Sequence, residues 1–93
     1  MPRFEVAHLR EQGQDMVIVP LTSAFGSNSS DDQRAIITDL QAHSLDAGLK
    51  GTVVPVWESA GRMNFIAPRP WHPFFESLSM RFITANLNRV LSW

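Results

Sequence analysis

Hydrophobic and polar residues alternate at the start of the chain, with Phe4 and Val6 on one side and charged or small residues on the other. A period of two is typical of a half-buried β-strand, so the pattern predicts a strand over residues 3–10. A polar turn follows at 13–15, and the short apolar, β-branched run over 16–21 predicts a second strand. Because so few residues separate the two runs, we expect them to pair as a β-hairpin.

The periodicity becomes helical after a polar loop over residues 22–30. Ser30 and Gln33 have the spacing of a capping box, in which the two side chains satisfy free amides of the first helical turn. Apolar residues then recur at steps of three and four, which places them on one face of a helix. Gly48 is the type of residue that ends helices. We therefore predict one helix over residues 31–47.

The second half of the chain predicts another hairpin and a final helix. Strands are expected over 52–57 and 63–68, joined by a turn at 59–62. Apolar residues further on follow steps of three and four, which favours a helix over 79–91. A strand over 80–84 is the competing interpretation, because alternate positions there also fit a period of two.

These elements follow one another in the order ββαββα. The predicted fold class is α+β: a two-layer α/β sandwich, with a four-stranded, mostly antiparallel sheet and two helices. A chain of 93 residues with no linker or low-complexity segment predicts a single domain, 1–93. Two helices on one side leave the other face of the sheet open, so this architecture also predicts that two copies pair as a homodimer.

Composition narrows the classes of function. Eight Lys and Arg against nine Asp and Glu give a net charge of −1, so the chain has no overall basic surplus to attract a nucleic-acid backbone. The absence of cysteine excludes disulfides, thiolate metal sites and a cysteine nucleophile. No motif for a general base, a nucleophile, a metal or a cofactor occurs in the sequence. We therefore predict a protein that is not an enzyme and that binds no cofactor.

The most unusual stretch is the connector over residues 69–75, which combines prolines with aromatic side chains. Such side chains bury a large area at little entropic cost, and they are common at the centres of protein interfaces. In the alternative interpretation, the aromatic rings fold back and close one end of the core. The candidate partner-binding residues are Arg69, Trp71, His72, Phe74 and Phe75.

Four arginines of the last third of the chain are candidate nucleic-acid contacts: Arg62, Arg69, Arg81 and Arg89. Beside the aromatic residues of the connector, a basic cluster of this kind could hold single-stranded bases by stacking and charge. In the alternative interpretation, the arginine stems cover apolar surface while their charged heads stay hydrated.

Four further stretches are distinctive: VIVPL, AGLKGTVVPVW, RMNFIAPRPWHPFF and NRVLSW. In these stretches the chain resembles small uncharacterised proteins carried by integrative and conjugative elements of proteobacteria. The resemblance implies a bacterial protein with an accessory role in mobile DNA biology. It implies no activity and no functional residue.

The function expected from the sequence is that of a small non-enzymatic protein-interaction or regulatory module with a protein partner. The alternative is a weak nucleic-acid-binding accessory protein of a mobile element. The longest apolar run is far shorter than the roughly 20 residues needed to span a bilayer, and no signal-peptide pattern begins the sequence. We therefore expect a cytoplasmic protein without membrane contact.

Overall fold

The computed structural model describes residues 3–93. The strands are β1 (Arg3–Glu11), β2 (Gln14–Pro20), β3 (Thr52–Ser59), β4 (Arg62–Phe65) and β5 (Arg89–Ser92). The helices are α1 (Ser30–Asp46), α2 (His72–Glu76) and α3 (Met80–Ala85), with 3₁₀ helices at Ser23–Ser27 and Arg69–Trp71. The strands form one sheet in the order β4-β3-β2-β1-β5. The α+β class is confirmed, and the predicted number of four strands is wrong.

Both predicted hairpins are present, since β1 pairs antiparallel with β2 and β3 pairs antiparallel with β4. Glu11 lies opposite Gln14, so Gln12 and Gly13 alone form the first turn, with φ angles of 50° and 77°. Two successive positive φ angles match the twist of the flanking strands, which is why turns of this kind close hairpins. The turn between β3 and β4 has the same form.

Helix α1 agrees with the predicted helix to within one residue at each end, but its cap differs. Ser29 is the N-cap residue, and its hydroxyl accepts a hydrogen bond from the Asp32 amide at 3.2 Å. The predicted cap residue, Ser30, is already helical. The Gln33 side chain donates to the Phe25 carbonyl at 2.9 Å instead of returning to the cap. The predicted capping box is therefore wrong in register, because Ser29 has the extended backbone that a cap requires.

Both faces of the sheet are covered, which contradicts the predicted two-layer sandwich with one open face. Strands β2 and β3 are parallel, and α1 is the crossover that connects them. On one face of the sheet, α1 packs over Val17, Val19 and Leu91. The segment 67–87, which contains α2 and α3, packs on the opposite face. The unbroken burial of residues 16–19 in β2 is typical of strands covered on both sides. The open sheet face from which a homodimer was predicted is therefore not present among residues 3–93.

The predicted helix over 79–91 is wrong in its second half. Helix α3 ends at Ala85, and residues 89–92 form β5, which pairs antiparallel with the start of β1. The competing strand over 80–84 is also wrong, because those residues are helical. The helix stops where the Asn86 side chain donates to the Phe82 carbonyl at 2.7 Å. None of the three α-helices or the two 3₁₀ helices is long and apolar enough to cross a membrane.

Candidate functional site

The connector predicted to bind a partner is packed against the sheet, on the face opposite α1. Phe75 has no exposed surface and belongs to the core, while Trp71 and Phe74 are half-buried beside it. The rings of Phe74 and Phe75 meet edge to face, with centroids 5.3 Å apart. The structure therefore places these aromatic side chains in the folded-back arrangement.

The two polar residues of the connector behave differently. One ring nitrogen of His72 lies 2.9 Å from the Ala67 carbonyl oxygen, and the ring meets Phe65 edge to face at 5.2 Å. These contacts tie His72 to the segment after β4. Arg69 is exposed. Of the five predicted partner-binding residues, Arg69 alone extends largely into solvent.

The four candidate arginines are all exposed, but they do not gather on one surface. Arg62 lies on β4 and Arg89 on β5, which are opposite edges of the sheet. Four strand spacings separate these edges, a distance of about 19 Å. Arg89 shares the α1 face with Leu91, two residues away, whereas Arg81 belongs to α3 on the other face. The four arginines therefore form no continuous basic patch.

A large apolar cleft opens on the α1 face, where β2 ends. It has a volume of about 650 Å³. We call it the Trp93 cleft, after the residue that forms one wall. Its apolar lining includes Phe4, Leu21, Phe25, Ile36, Leu40 and Trp93.

The topology of the sheet explains the position of this cleft. The chain leaves β2 at Pro20 and turns through the first 3₁₀ helix into α1, on its way to β3. Strands β1 and β5 lie on the other side of β2. Residues 3–5, 20–28 and 36–40 meet at this point.

The Trp93 ring is held by two aromatic neighbours. It stacks on Phe4 with centroids 5.5 Å apart and on His43 with centroids 3.9 Å apart. Nε2 of His43 lies 3.4 Å from Oδ1 of Asp39, one helical turn earlier on α1. The wall of the cleft is thus fixed to both the sheet and the helix.

A second concave region adjoins the first and also contacts Trp93. It is a groove of about 350 Å³ between the last turns of α1 and the outer edge of β5. We call it the β5 groove, and it is lined by His43, Asp46, Ala47 and residues 90–93. Val90 is 48% exposed, although it lies in a strand.

Residues 3–93 contain no group of three or more side chains placed to hold a metal ion. In the same residues, every buried side-chain nitrogen and oxygen has a hydrogen-bond partner. The charged residues of the Trp93 cleft, Arg3, Glu5 and Asp39, are exposed and lie around an apolar interior. Sequence patterns missed both regions, because their linings come from distant parts of the chain.

Comparison with known proteins gave no match to any protein-family model, curated protein or solved structure. The resemblance to proteins of mobile elements therefore stays a prediction.

Proposed function

We propose that the protein is a non-enzymatic protein-interaction module that binds a segment of a partner chain on its α1 face. The Trp93 cleft takes an apolar side chain of that segment as an anchor. The observation that carries this proposal is a preformed, aromatic-walled cleft of about 650 Å³ at the end of β2. The sequence had suggested the connector over 69–75 for this role.

The distribution of polarity in the cleft supports a protein partner. Phe25 and Leu40 at its floor are buried, whereas Arg3, Glu5 and Asp39 at its margin are exposed. Protein interfaces have this arrangement, with an apolar centre that excludes water and a polar rim. A cleft that recognises a small polar metabolite instead needs polar groups that converge on the ligand.

The resemblance to mobile-element proteins adds a setting to this proposal: an accessory or regulatory role in the bacterial cytoplasm. Nucleic-acid binding receives no support from the arginine positions, since Arg62 and Arg89 lie at opposite sheet edges.

Selection of short random peptides displayed on phage tests the proposal. The decisive variant is Ala24→Arg, because Ala24 is exposed, lines the cleft and supports no core contact that the change would remove. The matched control is Ala42→Arg, which adds the same group on the outer surface of α1. Circular dichroism and thermal unfolding check that both variants fold.

We expect the selected peptides to share an aromatic or aliphatic anchor residue. Losing burial of one such side chain costs about 1.5–3 kcal/mol, so Ala24→Arg should weaken binding roughly tenfold to a hundredfold. Ala42→Arg should bind like the unchanged protein. Equal binding by all three proteins, or no enrichment of any peptide, would show that the cleft is not a protein-binding site.

A further inference from the structure

We propose that the partner segment is an extended, basic strand that pairs with the free edge of β5 and fills the β5 groove. This inference rests on the proposed function and specifies the backbone conformation and the charge of the partner. It is carried by an open sheet edge and by the charges beside it.

The first observation is that β5 has one strand neighbour. It pairs with β1 from Arg89 to Ser92 and forms the edge of the sheet, so its outer backbone groups have no strand partner among residues 3–93. Sheet edges are protected by short strands, charged side chains, proline, bulges or a cover; β5 is short and carries Arg89, but it contains no proline and a groove lies along it. Here Leu91 is buried under α1, whereas the adjacent Val90 is 48% exposed. The edge can therefore accept another strand.

The second observation is the charge on the wall of the groove. A strand added to β5 lies about 4.8 Å away, with alternate side chains pointing toward α1. Asp46 lines the groove there, and Asp39 lies two helical turns earlier, about 10 Å along the helix. Their neighbour His43 already contacts Asp39. Arg89 also lies on this face, at the start of β5, but the two carboxylates outnumber it and favour lysine or arginine over acidic residues on the partner strand.

The same charges argue against a second copy of this chain as the occupant. Antiparallel pairing of two β5 edges requires a twofold axis perpendicular to the sheet, which puts both α1 helices on one face. Asp39 and Asp46 of each copy then approach those of the other, and like charges repel.

A synthetic peptide of alternating lysine and valine is the probe. One control peptide has glutamate in place of each lysine. A second keeps the lysines but carries N-methyl groups on the amides of one edge, and a third carries them on the amides of the other edge. N-methylation removes the hydrogen bonds needed for strand pairing and leaves the side chains unchanged. Binding is measured by calorimetry, and amide hydrogen exchange at Arg89–Ser92 is measured by NMR.

We expect the lysine peptide to bind and to slow exchange of the outward amides of β5 about tenfold. The double variant Asp39→Asn, Asp46→Asn should weaken binding by about tenfold at low salt, with less effect at high salt. Asp31→Asn makes the same kind of charge change at the other end of α1 and should leave the affinity unchanged. At least one of the two N-methylated peptides should fail to bind.

Four outcomes would overturn the inference: binding of the glutamate peptide as tight as that of the lysine peptide, undiminished binding of both N-methylated peptides, unchanged exchange at β5, or protection of β5 by self-association alone. Failure here is distinguishable from failure of the proposed cleft. Peptides whose binding is weakened by Ala24→Arg, but which do not slow amide exchange in β5, would support the cleft and overturn strand addition. Protection of β5 without sensitivity to Ala24→Arg would overturn the cleft and leave strand addition standing.

Discussion

Asn88 holds the start of β5 against β1, and its replacement tests how firmly this edge is attached. Its side-chain oxygen accepts a hydrogen bond from the His8 amide at 2.8 Å, and its side-chain nitrogen donates to the His8 carbonyl at 3.1 Å. Its own backbone amide donates to the Val6 carbonyl at 3.0 Å. The Asn88 side chain thus extends the pairing of β1 and β5 by one residue, because it bonds both backbone groups of His8 as a strand residue would.

The magnitude follows from these contacts. Asn88→Ala removes two hydrogen bonds, each of which contributes about 0.5–1.5 kcal/mol. Because water reaches both bonds, we expect the lower half of that range, a total of about 1–2 kcal/mol. For a domain of this size, the loss lowers the melting temperature by about 4–16 °C. Asn88→Asp keeps the acceptor but sets a carboxylate oxygen against the His8 carbonyl, so it should destabilise at least as much.

Thermal and urea unfolding measure the global loss, and hydrogen exchange locates it. The control is Asn28→Asp, which makes the same charge change at an exposed asparagine before α1. Amides of residues 89–92 should lose protection in Asn88→Ala before the amides of β2 do, because an edge strand opens more easily than the centre of the sheet. A loss below about 0.5 kcal/mol, or equal stability of Asn88→Asp and Asn28→Asp, would refute this reasoning.

Three further substitutions test the core and its connections, each by urea unfolding. Gln41→Met should cost about 1–3 kcal/mol, because the Gln41 side chain accepts from the buried Val53 amide and donates to the Gly51 carbonyl, both at 2.9 Å; equal stability would contradict the role of this clamp. Gly51→Ala should cost more than Gly48→Ala: φ is positive at both, but a Cβ at Gly51 collides with the backbone of β2, whereas at Gly48 it meets nothing within 4 Å. Phe75→Ala should cost about 3–5 kcal/mol, as expected for a fully buried ring, and a surface-like loss below 1 kcal/mol would contradict its core position.

Local patterns were sufficient where neighbouring residues provide the decisive interactions. The first hairpin follows from a polar turn between adjacent apolar runs, although the turn lies at Gln12 and Gly13 and not at the predicted 13–15. Helix α1 follows from a cap, an apolar period and a terminal glycine that all lie within one segment of the chain. The single error in α1 was a shift of the cap from Ser30 to Ser29, which neighbouring serines make hard to distinguish in a sequence.

The C-terminal strand needed the tertiary structure. Residues 89–92 are too few for their periodicity to distinguish a helix from a strand. They form a strand because the edge of β1 offers backbone groups with which they pair. Asn88 supplies the link by bonding to His8, which is 80 residues away in the chain. No pattern within the segment contains that partner.

The sequence by itself determined the α+β class, the two hairpins and the long helix, because each depends on short-range turns, caps and periods. Only the tertiary structure decided that both sheet faces are covered, that 69–75 packs inward and that two concave regions meet at Trp93. Those features depend on contacts between segments such as 3–5, 36–40 and 90–93. Such contacts form only after the chain has closed long loops, and their energies depend on how complete surfaces fit together.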